Sequence, residues 1–63
     1  MSGDVFENRW PQMRSQAKVW WDKLTEADLE QVGGKFNKLS GLLQERYGYT
    51  RRQAEEEIKK RTR

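Results

Sequence analysis

The stretch around Gly48 ends one helix and begins another, and it constrains the fold more than any other part of the chain. Glycine reaches positive φ at little cost, so Gly48 is predicted to end the helical run that precedes it. Thr50 is predicted to be the N-cap of the next helix, with Gln53 completing a capping box. A helix end and a helix start this close together turn the chain back on itself. Tyr47 and Tyr49, one on each side of the glycine, are expected to fill the inside of this corner.

A second helix start of the same kind occurs at Thr25. Thr25 is predicted to be an N-cap, and Glu26 and Asp28 place negative charge at the positive end of the helix. Leu24 is expected to pack on Leu29 as a hydrophobic staple. The pattern is found twice, each time after an apolar helical segment, and it predicts a helix boundary at both places.

The amino-terminal part of the chain is predicted to contain the first helix. Pro11 suits the first turn of a helix, where its missing N–H costs nothing, so this helix is expected to run from about Trp10 to about Lys23. Residues 1–7 are expected to be frayed, with Phe6 docking on the core.

Three further helices are predicted, and the fold class is therefore all-α. The second helix should run from the Thr25 cap to Gly33-Gly34, the third over residues 35–47 and the fourth over residues 51–61. Gly41 lies in the third helix, where it is expected to let a neighbouring helix approach closely. None of these helices can bury its apolar face alone, so we expect a small bundle of four short helices packed as two helical hairpins. Residues 1–63 should form one domain, ordered over about 8–61. The residues expected to build it are Trp21, Leu24, Thr25, Leu29, Phe36, Leu39, Leu43, Tyr47, Gly48, Tyr49, Thr50 and Ile58.

Trp20 and Trp21 are neighbours, and neighbouring helical residues point about 100° apart. Both therefore cannot sit at the centre of one narrow core face. Trp21 aligns with Ala17 and Leu24 and is assigned to the core, although Trp20 also fits the apolar stripe. Trp20 is then expected at the rim of the core, as the candidate contact for a partner or for self-association.

Composition excludes several classes of chemistry. The chain has no cysteine and no histidine among its 63 residues, which removes disulfides, thiolate metal sites and the commonest general base. No apolar run approaches the roughly 18 residues of a membrane span, and no signal peptide is visible, so we expect a cytoplasmic protein without a membrane span. We expect no catalytic residues, no bound metal and no cofactor.

The sequence contains Trp21, Leu24-Thr25, Gly34-Lys35, Leu39, Gly41, Gln44-Glu45-Arg46-Tyr47-Gly48-Tyr49 and Gln53-Ala54-Glu55. Together these residues resemble the CsbD-like family, and among its members the YjbJ-type bacterial proteins. The resemblance covers about residues 10–58. It implies a small helical bundle in the bacterial cytoplasm that is associated with general stress response, and it implies no known catalytic residues. Pro11 departs from the polar residues usual at its position, and Gly33 beside Gly34 is a second departure.

Two local motifs have a functional and a structural interpretation. Gly33-Gly34-Lys35 could form a phosphate-binding hairpin, but a glycine pair alone is a weak signal, and a helix end followed by a basic helix start is favoured. Residues 55–57 are all glutamate and could suggest a divalent metal site. Their spacing favours ion pairs one helical turn apart, of Glu55 with Lys59, Glu56 with Lys60 and Glu57 with Arg61. Asp22 and Glu26 lie beside no nucleophile, so a catalytic carboxylate pair is disfavoured.

Basic residues are grouped at the tyrosine corner and in the carboxyl-terminal tail, although the net charge is only +3. Such groups attract phosphate backbones, but the acids are spread through the same helices. The interpretations are a structural role, weak binding of nucleic acid, or contact with an anionic membrane surface. We therefore expect a non-enzymatic stress-response protein that binds or protects a partner, with weak electrostatic binding of nucleic acid as the alternative. The candidate anion contacts are Lys35, Arg46, Arg51, Arg52, Lys59 and Lys60.

Overall fold

The bundle has one central helix. The computed structural model describes the backbone of residues 3–62 and the side chains of residues 6–62. The described residues form helices α1 (Gly3–Trp20), α2 (Glu26–Val32), α3 (Phe36–Tyr47) and α4 (Arg51–Thr62). Helix α3 packs against each of the other three. The predicted all-α fold is confirmed, and the starts of α2 and α4 follow the threonine caps found in the sequence.

Helix α1 begins at Gly3, so the prediction that it starts near Trp10 is wrong. Residues 1 and 2 of the segment expected to be frayed lie outside the described residues, and the rest of that segment is helical. Pro11 lies inside the helix, where proline costs about 3 kcal/mol or more. Phe6 offsets this cost, because its side chain is only 3% exposed and its ring centroid lies 5.7 Å from Trp10 and 5.6 Å from Phe36. Burial of a phenylalanine is worth about 1.5–3 kcal/mol, and each aromatic contact adds about 0.5–1.5 kcal/mol.

The Gly33-Gly34 turn ends α2 and is the surface on which the start of α1 packs. Both glycines have positive φ, 54° for Gly33 and 85° for Gly34, and the Gly33 N–H donates to the Leu29 carbonyl. A Cβ on Gly34 would lie 3.1 Å from the Glu7 Cα and 3.3 Å from the Trp10 Cβ. The glycine at position 34 therefore serves both the turn and the close approach of α1.

The tyrosine corner joins α3 to α4. Gly48 has φ 71° and ψ 23°, and its N–H donates to the Gln44 carbonyl. Thr50 and Gln53 form a capping box, in which the Gln53 N–H donates to the Thr50 hydroxyl and the Thr50 N–H donates to the Gln53 side-chain carbonyl. The rings of Tyr47 and Tyr49 stack with centroids 5.4 Å apart, and both residues are half-buried.

The core is drawn from all four helices and from the link between α1 and α2. Gly41 takes no part in it, because a Cβ there would have no neighbour within 4 Å, so the expected close approach of another helix is wrong. Leu42, beside it, is half-buried against the core. Among the described side chains, the buried apolar residues are Phe6, Trp10, Met13, Ala17, Trp21, Leu24, Leu29, Val32, Leu39, Leu43, Ala54 and Ile58.

Candidate functional site

Asp28 joins the start of α2 to the end of α3. Its Oδ2 accepts from the Thr25 N–H at 3.1 Å, while the Thr25 hydroxyl accepts from the Asp28 N–H, which completes a capping box. The Arg46 side chain donates to both carboxylate oxygens, from Nε to Oδ2 at 3.3 Å and from Nη2 to Oδ1 at 3.0 Å. This bidentate pair spans the two helices, and its carboxylate is almost fully buried.

The pair accounts for the perturbed acidity of both groups. The Thr25 N–H, followed by the Arg46 guanidinium, holds the pKa of Asp28 below its ordinary value. The same contact with Asp28 raises the pKa of Arg46. Arg46 was predicted from the sequence to contact anions, and the structure places it in an internal ion pair with Asp28 and beside Glu45.

The other predicted anion contacts are for the most part paired with carboxylates at the surface. Lys35 lies 3.6 Å from Glu7, and Lys60 lies 3.9 Å from Glu57. Among the described side chains, no carboxylate lies within ion-pair distance of Lys59.

The glutamates of α4 pair differently from the prediction. Glu55 bonds back to Arg51 at 3.1 Å and Glu56 lies 3.7 Å from Arg52, so the expected pairs of these glutamates with lysines are wrong. The expected pair of Glu57 with Arg61 is present at 3.0 Å. Glu55 and Glu56 each have an arginine four residues before them and a lysine four residues after them. Both cations are one helical turn away, and in the structure the glutamates pair with the arginines.

An open cleft of about 280 Å³ lies between α1 and the end of α4, and we call it the α1/α4 cleft. The α1 residues that line it recur at helical spacing and form a stripe beside the core stripe. Sequence reasoning identified Trp20 but missed its neighbours, although this spacing in the sequence is the signal that groups them. The lining residues are Arg9, Gln12, Met13, Gln16, Trp20, Arg61 and Thr62.

The two neighbouring tryptophans occupy different environments. Trp21 is 2% exposed, whereas Trp20 is half-buried at the edge of the core and lines the cleft. Their rings meet edge to face with centroids 5.5 Å apart, so the buried ring fixes the position of the other. Val19, next to Trp20, is 80% exposed and does not line the cleft.

The charge of the α1/α4 cleft sets it apart from two other clefts on the surface. It is lined by two arginines and by no carboxylate. A cleft beside Tyr49 includes Glu56 and Glu57, and one between α2 and α3 includes Glu45. The Nε–H of Arg61 donates to Glu57. This group is one of the five N–H donors of a guanidinium. Among the side chains from residue 6 to residue 62, no carboxylate pairs with Arg9.

The described residues contain neither a metal-binding cluster nor a membrane-spanning helix. There, no group of three or more Asp, Glu, His or Cys side chains is placed to hold a metal ion. No helix in that part of the chain has the length and apolar character that crossing a membrane requires.

Two residues of the local motifs considered in the sequence lie at the surface. The side chains of Asp22 and Lys35 are exposed, and Lys35 directly precedes the first residue of α3.

These features define a class of small all-helical proteins, in which capped turns and an internal ion pair hold short helices around an aromatic core. The chain belongs to the UPF0337 family, which is the CsbD-like family that the sequence resembles. The UPF0337 protein of Pectobacterium atrosepticum is 44% identical over 59 residues, which cover 94% of this chain and 86% of the relative. The UPF0337 protein YjbJ of Escherichia coli K12 is 41% identical over 58 residues, covering 92% of this chain and 84% of the relative.

A UPF0337 protein of Bordetella pertussis is 39% identical over 59 residues, covering 94% of this chain and 89% of the relative. No family model and no solved structure matches the chain.

Proposed function

We propose that this protein is a non-enzymatic member of the bacterial stress response that acts by binding a partner through the α1/α4 cleft. The observation that carries the proposal is the placement of Trp20. It is a large aromatic side chain, half-buried, held in position by Trp21, and it lines a cleft instead of closing the core. Tryptophan and arginine are the residues most enriched at binding hot spots, and Arg9 and Arg61 lie in the same cleft.

The non-enzymatic part of the proposal rests on how the ionisable groups are used. General acid–base catalysis depends on a group whose pKa is tuned and whose proton can reach a substrate. The carboxylate of Asp28 has a lowered pKa, but both of its oxygens accept hydrogen bonds from Thr25 or Arg46. The lowered pKa of Asp28 is therefore a consequence of the contacts that hold α2 against α3.

The alternative predicted from the sequence, weak binding of nucleic acid by the tyrosine corner and the tail, has less support. Arg46, Arg51 and Arg52 each lie within 4 Å of a carboxylate, and a paired cation offers less to a phosphate than one without such a neighbour. Among the described cations of this group, Lys59 has no carboxylate within ion-pair distance. Arg63, at the end of the predicted tail, lies outside the described residues.

We also propose that the protein acts in the cytoplasm. This location and the role in the stress response rest on the family resemblance and on the bacterial origin of the relatives. They are tested by deleting the gene in its host, measuring survival of osmotic, acid and stationary-phase challenge, and fractionating the cells. We expect a survival defect that is restored by the wild-type gene.

The cleft itself is tested by complementation with Trp20→Gln, and Val19→Gln is the matched control because Val19 is apolar, adjacent and outside the cleft. We expect Val19→Gln to restore survival and Trp20→Gln to fail while keeping wild-type helical circular dichroism. Full rescue by Trp20→Gln would contradict the proposed role of the cleft. Sedimentation equilibrium of the same variants shows whether the partner is a second copy of the chain.

A further inference from the structure

We propose that the α1/α4 cleft binds single-stranded nucleic acid, with a base stacked on Trp20 and the backbone phosphates held by Arg9 and Arg61. This inference rests on the proposed binding function of the cleft, and it specifies the class of ligand. It differs from binding at the tyrosine corner and tail, because it shares only Arg61 with the tail and adds Arg9 and a stacking contact on Trp20.

The first step is the charge of the cleft. Arg9 comes from α1 and Arg61 from the last turn of α4, and no carboxylate lines the space between them. The Nε of Arg61 is bonded to Glu57 at 3.0 Å, as Arg51 is bonded to Glu55, so only the other N–H donors of Arg61 are left for a phosphate. Arg9 is the cation of the cleft that no described carboxylate pairs with, and it distinguishes the cleft from the tyrosine corner. The carboxyl ends of α1 and α4 both lie here, at Trp20 and Thr62, and their partial negative charge opposes an anion. Both arginines are therefore needed for the cleft to attract a phosphate, and removal of either one should have a large effect.

The second step is the aromatic surface. Bases stack on tryptophan whatever their sequence, because every base has a π-face, and arginine adds a cation–π contribution. The Trp20 ring is held edge to face by Trp21, so little conformational freedom is lost when a base stacks on it. The cleft, at about 280 Å³, is slightly smaller than the roughly 300–1,000 Å³ of ligand pockets, which suits one planar base with its phosphate outside.

The third step is the polar lining. Gln12 and Gln16 lie on the same stripe of α1, about two turns and one turn before Trp20, and line the cleft. Their amide groups offer both donors and acceptors, which match the hydrogen-bonding edge of an unpaired base. In a duplex that edge is occupied by the opposite strand. The lining therefore favours a single strand over a duplex.

The test measures binding of the full-length protein to fluorescein-labelled oligothymidylate and oligouridylate of about 12 nucleotides, by fluorescence anisotropy. Single-stranded DNA and RNA share the bases and phosphates that the proposal requires, and the two oligonucleotides show whether the cleft prefers DNA or RNA. Binding of each single strand is compared with binding of a labelled hairpin duplex of equal length. We expect both single strands to bind at low salt and the duplex to bind more weakly. Two phosphate contacts predict a slope of about −1.4 in the log–log plot of the binding constant against salt.

Matched variants locate the site. Arg9→Gln and Arg61→Gln should each reduce the salt slope to about −0.7, whereas Arg51→Gln, on α4 but outside the cleft, should leave the slope unchanged. Trp20→Gln should weaken binding roughly 5- to 150-fold, and Trp20→Phe should restore most of it, since phenylalanine also stacks. Rescue by phenylalanine separates stacking from a loss of folding, which circular dichroism checks directly.

Three results would overturn the inference. They are no binding of either single strand at low salt, an equal loss for Arg51→Gln and Arg9→Gln, and tighter binding of the duplex. Binding to anionic phosphatidylglycerol vesicles with no binding to oligonucleotides would also reject it, in favour of a membrane surface. If the oligonucleotides fail to bind while Trp20→Gln still fails to restore survival, the cleft keeps its binding role and only the ligand class is wrong.

Discussion

Substitution of Gly34 by alanine isolates the contact between the α2–α3 turn and the start of α1. Gly34 has φ 85°, which costs an L-residue about 1–2 kcal/mol. In addition, the new Cβ would lie 3.0 Å from the Glu7 Cγ and 3.1 Å from the Glu7 Cα. The Cα belongs to the backbone and cannot rotate away, so overpacking adds about 1–3 kcal/mol. The expected loss is about 2–5 kcal/mol, out of a total stability of about 3–9 kcal/mol for a domain of this length.

Two other glycines provide controls that share the backbone strain but not the steric conflict. Gly48 has φ 71° and would place a Cβ in open space, and Gly33 has φ 54° with its nearest contact at 3.7 Å. Alanine at either position should cost only about 1–2 kcal/mol. Urea denaturation followed by circular dichroism measures all three, with a slope of about 1 kcal/mol per molar for so small a protein. Equal midpoints for the three variants would show that the start of α1 does not press on Gly34, and would refute the reasoning.

Three further substitutions test separate parts of the structure by the same urea assay. Gly41→Ala should raise stability by about 1 kcal/mol, because Gly41 is exposed within α3 and its Cβ would meet nothing; a loss would mean that an unseen neighbour needs the space. Trp21→Ala should cost about 3–5 kcal/mol and largely unfold the protein, whereas Trp20→Gln should keep its helical signal; the reverse would exchange their roles. Asp28→Asn should lower the midpoint at pH 7. Folding lowers the pKa of Asp28, so its contribution to the free energy of unfolding is complete above its ordinary pKa of 3.8 and is lost as the pH falls through the folded pKa. The difference between the variant and the wild type should therefore shrink as the pH is lowered below about 4; a difference that is constant with pH would reject the ion pair as its cause.

The parts of the fold that were predictable from the sequence are those set by neighbouring residues. Thr25, Thr50 and Gly48 act on groups within a few positions of themselves, and each carries a residue type that the local geometry requires. The sequence does not predict the start of α1, because on local grounds Pro11 favours a helix that begins near Trp10. The contacts that override it are made by Phe6 with Phe36, far along the chain.

The candidate site was less predictable for the same physical reason. Trp20 could be singled out from the angle between neighbouring helical residues, but the cleft depends on where the end of α4 lies relative to α1. The ion pair of Arg46 with Asp28 joins residues 18 positions apart and removes one cation from the group expected to meet anions. A sequence shows that charges are present, whereas only the packing shows which of them neutralise one another.

The ion pair between Asp28 and Arg46 has a consequence for how the molecule opens. Helix α2 has 7 residues, well below the roughly 12–15 at which an isolated helix is even marginally stable in water. Its first turn is bonded to the last turn of α3, at the point where α3 ends in Gly48. The two helices should therefore lose their structure together, and the amide protons of Thr25 and Asp28, which are hydrogen-bonded in the capping box, should exchange with solvent as slowly as those in the middle of α3.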